Sequence, residues 1–130
     1  MTRVVVLAVA LVALLGATDG GATQAQIPKP ITAKTKLVLT SGPSQVITFK
    51  TAAGKAVKTM KLGTYTVTVR DRGPDHNAHV VAPGYNRKTS PLSFRGTQTW
   101  KVVLKRAGTL RFLCDPHAAA GMRGTAKIVR

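Results

Sequence analysis

Thr64-Tyr65-Thr66-Val67-Thr68-Val69-Arg70 is the clearest secondary-structure signal in this chain. In an extended segment Tyr65, Val67 and Val69 lie on one face, and the threonines lie with Arg70 on the other. This period of two predicts a β-strand with one buried face. Shorter runs of β-forming residues lie before and after this segment, so the sequence predicts strands along the whole chain after the N-terminal region.

The neighbouring runs are short and are separated by turn residues such as Ser41-Gly42-Pro43-Ser44 and Pro83-Gly84. No segment has a convincing helical periodicity. Strands of this length, with frequent turns, predict an all-β fold, an antiparallel β-sandwich with Greek-key connections. The other predicted strands are Thr35–Thr40, Gln45–Lys50, Val57–Leu62, His76–Ala82, Thr99–Lys105, Thr109–Cys114 and Thr125–Val129.

The N-terminus has the organisation of a secretory signal peptide. Met1-Thr2-Arg3 is a positive start, Val4–Leu15 is apolar, and a small, polar stretch follows with a cleavage position at Ala25. The apolar run is shorter than the ~20 residues of a membrane span, although an uncleaved anchor is the alternative. We therefore expect an exported protein in which residues 1–25 are the signal peptide, residues 26–34 a leader and residues 35–130 one domain with no stable membrane span.

Composition narrows the function further. The 130 residues include 20 Lys and Arg against four acidic residues, a formal charge of +16, and 44% are hydrophobic. This excludes wholesale disorder, and a single Cys excludes an internal disulfide framework. No nucleic-acid-binding motif is present and aromatic residues are few. The excess charge predicts an acidic partner protein or a cell-envelope location for what we expect to be a monomer.

The only Cys lies in a segment with metal-ligand spacing. Cys114-Asp115-Pro116-His117 is followed after four more residues by Met122, and His76 and His79 lie upstream. Taken singly, a lone Cys or Met is more often a core residue than a ligand. Together, a thiolate, imidazoles and a thioether form a soft ligand set that suits copper. Zinc is less attractive, because Met is a poor ligand for it.

With these residues the chain resembles the cupredoxins, most nearly those of the plastocyanin and pseudoazurin type. Their ligand loop is Cys-x-Pro-His followed by small residues and Met, and their first ligand is a His followed by Asn, as in His76-Asn77. The resemblance spans about residues 35–130. It implies one copper ion held by His76, Cys114, His117 and Met122, a linking role for Asn77, and one-electron transfer to a redox partner.

His79 offers a second candidate for the first ligand. In a strand over His76–Ala82, His76 would share an apolar face with Ala78 and Val80, whereas His79 would point to the other side. We therefore expect His76 inside and His79 outside. Asp75 departs from the plastocyanin pattern, which has Pro at this position.

Three other functions are alternatives to electron transfer. A copper carrier or buffer in the cell envelope would use the same ligands, and sequence barely separates it from an electron carrier. A copper enzyme is disfavoured, because the chain has three His in total and two are needed at the first site. A metal-free interaction domain is disfavoured because the ligand residues are intact.

Overall fold

Nine β-strands form the part of the chain that the computed structural model describes, which is Ile27 and residues 29–130. The predicted signal peptide, with Gln26 and Pro28 of the predicted leader, lies outside the described residues. The strands are β1 Leu37–Ser41, β2 Ile47–Thr51, β3 Thr59–Lys61, β4 Gly63–Asp71, β5 His79–Ala82, β6 Tyr85–Lys88, β7 Gly96–Leu104, β8 Gly108–Leu113 and β9 Arg123–Val129, and a 3-10 helix, Asp115–Ala120, lies between β8 and β9.

The strands form two sheets that enclose one hydrophobic core. One sheet has the order β2-β1-β4-β7, and the other has the order β3-β9-β8-β5-β6. Both contribute inward side chains, and the rings of Phe49 and Phe112 meet across the core at a centroid distance of 5.4 Å. The all-β, two-sheet prediction is therefore confirmed.

Both sheets are mixed, whereas the sequence predicted antiparallel pairing. β1 pairs in parallel with β4, and β3 pairs in parallel with β9. The chain passes almost directly from β3 in one sheet to β4 in the other at Leu62-Gly63. Gly63 has φ +146, and a side chain there would approach Ala33, so this crossing suits glycine. The chain leaves the β1–β2 sheet for β3 and comes back to it at β4. Because of this crossover, β4 can pair in parallel with β1.

The inward faces agree with the sequence pattern, whereas most strand boundaries differ by one to three residues and one strand was not predicted. Tyr65, Val67 and Val69 are buried in β4. β6 was not predicted, and β5 begins at His79 instead of His76. A turn at Pro74-Asp75 precedes His76, and His76–Ala78 are irregular because their polar groups bond to residues outside the sheet ladder, as described below.

Part of the predicted leader contacts the domain. Ile31 donates its backbone N–H to the Thr59 carbonyl and accepts from the Lys61 N–H, so it extends the edge at β3. The Tyr65 hydroxyl also lies 2.9 Å from the Ile31 carbonyl oxygen. Among the described residues, we find no helix with the length and apolar character needed to cross a bilayer.

Candidate metal centre

Three of the four predicted ligands meet at one end of the sandwich. The Nδ1 atoms of His76 and His117 are 3.1 Å apart, and the Cys114 Sγ lies 3.6 Å from the first and 3.5 Å from the second. Cys114 is fully buried and His76 is 4% exposed, whereas His117 is partly exposed. A point equidistant from atoms so spaced lies about 2 Å from each, which is the length of a bond from a metal to a nitrogen ligand.

A compact loop presents Cys114, His117 and Met122 together. Cys114 follows β8, and the 3-10 helix begins at the next residue with Pro116 in its first turn. The Cys114 N–H donates to the Met122 carbonyl at 3.0 Å, and the Met122 N–H donates to the His117 carbonyl at 3.1 Å. Gly121, with φ +100, reverses the chain between them. Met122 is thereby returned to Cys114, and its side chain is buried in the same core cluster.

The His76 ring is fixed in the tautomer that a metal ligand requires. Its Nε2 lies 3.2 Å from the Pro43 carbonyl oxygen. A carbonyl can only accept, so Nε2 carries the hydrogen and the Nδ1 lone pair faces Cys114 and His117. The ring also lies against two glycines. A Cβ on Gly73 would come within 2.4 Å of the ring, and a Cβ on Gly42 within 2.8 Å.

Asn77 joins the two ligand-bearing segments. Its Nδ2–H donates to the Asp115 Oδ2, and the Asp115 backbone N–H donates to the Asn77 Oδ1, both at 2.8 Å. The Ser41 hydroxyl donates to the Asn77 carbonyl, also at 2.8 Å. The two bonds between Asn77 and Asp115 fix the residue after His76 against the residue after Cys114. Asn77 thus has the linking position that the resemblance implies.

His79 lies outside the cluster and takes part in a polar network. Its Nδ1 lies 2.7 Å from the Asp115 Oδ1, and its Nε2 lies 2.7 Å from the side-chain amide of Asn86. Lys88 approaches the same carboxylate at 3.7 Å. Burial opposes ionisation of Asp115, but the hydrogen bonds from His79 and Asn77 and the nearby positive charge hold its pKa below the ordinary value. His79 is therefore engaged with this carboxylate rather than with Cys114.

A buried carboxyl group, that of Asp71, stabilises the segment that carries His76 through Thr89. Asp71, at the inward end of β4, is 2% exposed, and its Oδ2 accepts the Thr89 hydroxyl at 2.6 Å. The Thr89 Oγ1 in turn accepts the Ala78 N–H at 3.0 Å. Burial raises the pKa of Asp71, although hydrogen bonds from Thr89 and the Gly73 backbone oppose that shift. The segment that carries His76 is thus held by partners on β1, β4 and the loop after β6.

The donor set fits a soft, redox-active metal. Among the described residues, the one cluster of His, Cys, Asp or Glu with ligand atoms close enough to share an ion is His76, Cys114 and His117, with these atoms within 4.8 Å of one another. It contains no carboxylate. One thiolate and two imidazoles, with a buried thioether on the same loop, are donors that suit copper.

Comparison with known proteins agrees with this chemistry. Residues 37–129 match the family of copper-binding proteins described as the plastocyanin/azurin family. The chain belongs to the plastocyanin/azurin family. The cofactor of this family member is a single copper ion, for which the cluster supplies suitable donors. No curated protein sequence matches the chain.

Solved structures show that this plastocyanin/azurin-family chain shares its fold with auracyanins. A dithionite-reduced auracyanin from the photosynthetic bacterium Roseiflexus castenholzii is 22% identical, with a TM-score of 0.54 over 75% of this chain and 99% of that chain. An auracyanin B is 13% identical, with a TM-score of 0.52 over 78% of this chain and 91% of that chain. At these identities the likeness concerns the fold alone.

Apart from Asn77, the sequence did not reveal the residues that hold the ligand-bearing segments in place. The loop spacing does not single out Asp115, yet its carboxylate bonds both Asn77 and His79. Asp71 and Thr89 were not singled out. The sequence did contain a signal, because three of its four acidic residues, Asp71, Asp75 and Asp115, lie within five residues of a predicted ligand.

Proposed function

We propose that this family member is an exported type 1 copper protein that carries single electrons. His76, Cys114 and His117 would be the equatorial ligands and Met122 the axial one. The observation that carries the proposal is the triangle of 3.1 to 3.6 Å formed by two imidazole nitrogens and a buried sulfur. Donors that already stand at ligand spacing require little movement when the charge at the centre changes.

Copper, when bound, supplies a one-electron couple between its two common oxidation states. The residues of the chain determine how freely that couple works. The Asn77–Asp115 bonds and the Pro43 carbonyl hold the ligand side chains in place, and burial of Cys114 keeps water from its sulfur. His117 is the partly exposed member of the cluster, so we propose it as the exit for the electron.

We propose export through residues 1–25, a folded copper domain over residues 35–130, a monomeric state and an acidic redox partner. Nucleic acid is not proposed as a partner. The net charge of +16 supports an acidic one, because opposite charge accelerates encounter. No catalytic activity is proposed, since His79 is engaged with Asp115 and a second copper centre would need further histidines.

The test is copper titration of the purified protein followed by visible spectroscopy. Copper(II) loading is expected to give one ion per chain and an intense visible band, and Cys114→Ser should remove the band, with loss of at least about tenfold in copper affinity. Full colour in that variant would contradict the ligand assignment. The titration should use folded protein, with circular dichroism of both forms as the control.

A second measurement separates electron carriage from the copper carrier or buffer alternative. Repeated reduction by ascorbate and oxidation by ferricyanide should proceed without loss of copper if the protein carries electrons. Ready transfer of copper to a chelator on the timescale of those reactions, with slow redox cycling, would instead support copper carriage.

A further inference from the structure

We propose that the outer face of the five-stranded sheet, next to the ligand loop, is the docking surface for an acidic partner protein. This inference rests on the proposed function and assigns the place at which the partner binds. The central feature is a depression of about 340 Å³ between β8, β9 and the 3-10 helix. Its lining residues are Arg111, Leu113, Ala118, Arg123, Gly124 and Thr125.

The apolar part of this depression adjoins the candidate ligands along the chain. Leu113 immediately precedes Cys114, and Ala118 immediately follows His117. Both side chains are partly exposed. A partner seated against them would therefore be one residue from the sulfur and one residue from the partly exposed imidazole. The depressions on the outer face of the other sheet include no residue of the ligand loop.

Positive side chains surround the apolar part. In the antiparallel register of β8 and β9, Leu113 lies opposite Arg123 and Arg111 lies opposite Thr125, so all four lie on one face. Lys127 continues this face opposite Thr109. On the other side, His79 lies opposite both Leu113 and Lys88. Arg111, Arg123, Lys127 and Lys88 are all exposed.

Asp115 pairs with Lys88, but no acidic side chain of the described residues forms an ion pair with Arg111, Arg123 or Lys127. Of the three acidic residues in the described part of the chain, Asp71 is buried and Asp75 lies in the turn before His76. Asp115 adjoins the face, but its carboxylate is already engaged with His79, Asn77 and Lys88. Arg123 lies across from Leu113 on β9, and Arg111 precedes Leu113 by two residues on the same face of β8. Two arginines beside an apolar contact match a protein surface that carries carboxylates around an apolar patch, because guanidinium groups bind carboxylates with two parallel hydrogen bonds.

The experiment maps binding of an acidic probe on the copper(I) protein by NMR. The probe is an N-acetylated hexaglutamate peptide, titrated at low salt into ¹⁵N-labelled protein. Amide shifts are expected to be largest at Leu113, Ala118, Gly124 and Thr125. Arg111→Gln with Arg123→Gln should weaken peptide binding about tenfold, because both charge-assisted contacts are removed.

The matched control removes the same charge from the opposite sheet. Arg70 and Lys101 are exposed on the outer face of β4 and β7, and Arg70→Gln with Lys101→Gln should weaken binding less than about twofold. Equal weakening by the two double variants, or shifts centred on the opposite sheet, would overturn the docking site. Binding to phosphatidylglycerol vesicles through Arg111 and Arg123, without local shifts from the peptide, would assign the face to a lipid surface and overturn the protein partner.

Failure of this inference is distinguishable from failure of the proposed function. Oxidation of the same copper(I) protein by ferricyanide is recorded in parallel at full copper occupancy. Normal oxidation without localised peptide binding would overturn the docking site and leave the proposed function intact. Absence of redox cycling would overturn the proposed function, and with it the redox nature of the partner.

Discussion

At the scale of single residues, His76 and His79 have opposite surroundings although three positions separate them. The His76 Nδ1 faces Cys114, whereas both ring nitrogens of His79 have polar partners elsewhere. We therefore expect His76→Ala to abolish the visible band and reduce copper affinity by at least about a hundredfold, since loss of a ligand costs more than loss of its outer partner. His79→Ala should keep the band and lose less than about tenfold, because it removes a partner of Asp115 and not a ligand.

Copper titration of the two variants, with competition by a chelator of known affinity, measures both effects. His79→Asn serves as a control that retains a polar group beside Asp115. Retained colour in His76→Ala together with lost colour in His79→Ala would reverse the assignment of the first ligand.

Asp71 gives a prediction for pH dependence. Burial raises its pKa in the folded protein, so between the ordinary and the raised value the folded state holds a proton that the unfolded state has released. Stability from this group is therefore present at low pH and is lost as the pH rises through that window. In urea denaturation of copper-free protein at a series of pH values, the free energy of unfolding of Asp71→Asn should increase relative to that of the wild type as the pH rises.

The Thr89 contact supplies the control for that experiment. Asn at position 71 can still accept the Thr89 hydroxyl through its amide oxygen, whereas Thr89→Val removes this donor from a buried carboxyl group. Thr89→Val should therefore be less stable than the wild type across the whole range. A constant difference in stability between Asp71→Asn and the wild type at every pH would refute the raised pKa.

The residue types of the site and the linking Asn77 could be predicted, but the other residues that support the site could not. Cys114, His117 and Met122 occupy one short segment, so their spacing alone identifies a candidate loop. The buried position of His76 was expected from strand alternation, yet His76 lies in an irregular segment between the turn at Pro74-Asp75 and the start of β5 at His79. Asp71 and Thr89 act across 18 residues of sequence, and pairings of that kind depend on the tertiary fold.

At the scale of elements, Gly124 in β9 and Phe112 in β8 form a cross-strand pair that depends on a missing side chain. The two residues are directly opposite, and a Cβ on Gly124 would lie 2.2 Å from the Phe112 ring. Phe112 has little room to move, because its ring packs against Phe49. Gly124→Ala should therefore destabilise the protein by about 1–3 kcal/mol, measured by urea denaturation of the copper-free form.

A second-site change tests whether this cost is steric. Phe112→Leu shortens the side chain that the new methyl group would meet, so the double variant should be more stable than the sum of the two single effects predicts. Simple additivity would show that the glycine is needed for some reason other than the aromatic ring.

Prediction of the elements succeeded where a pattern continues over several residues and failed at the edges. β4, β7 and β8 each have an unbroken alternating face, which is buried in the structure. β6 is a four-residue edge strand, mostly exposed, with charged Arg87 and Lys88 and a turn at Pro83-Gly84 before it. Charged, short edge strands limit unwanted pairing, and those same properties made β6 look like a loop.

At the scale of the whole molecule, the charge affects every encounter with a partner. The net charge of +16 does not depend on signal cleavage, because residues 1–25 contain one Arg and one Asp. Of the three acidic side chains in the described residues, Asp71 is buried and Asp115 is paired. An approaching anion therefore meets a largely unopposed positive potential, which raises its rate of association at low ionic strength.

Salt should consequently slow oxidation of the copper(I) protein by ferricyanide, which is an anion. The rate should fall about tenfold or more between about 0.01 and 0.3 M ionic strength, because the screening length decreases from about 30 Å to less than about 10 Å. Stopped-flow absorbance of the copper(II) band measures the rate. A cobalt(III) phenanthroline cation is the matched control, and its rate should rise with salt because repulsion is screened. Salt could also act by loosening the site, but that effect would change both rates in the same direction. Opposite slopes for the two oxidants therefore require long-range electrostatics, and parallel slopes would exclude steering by the net charge.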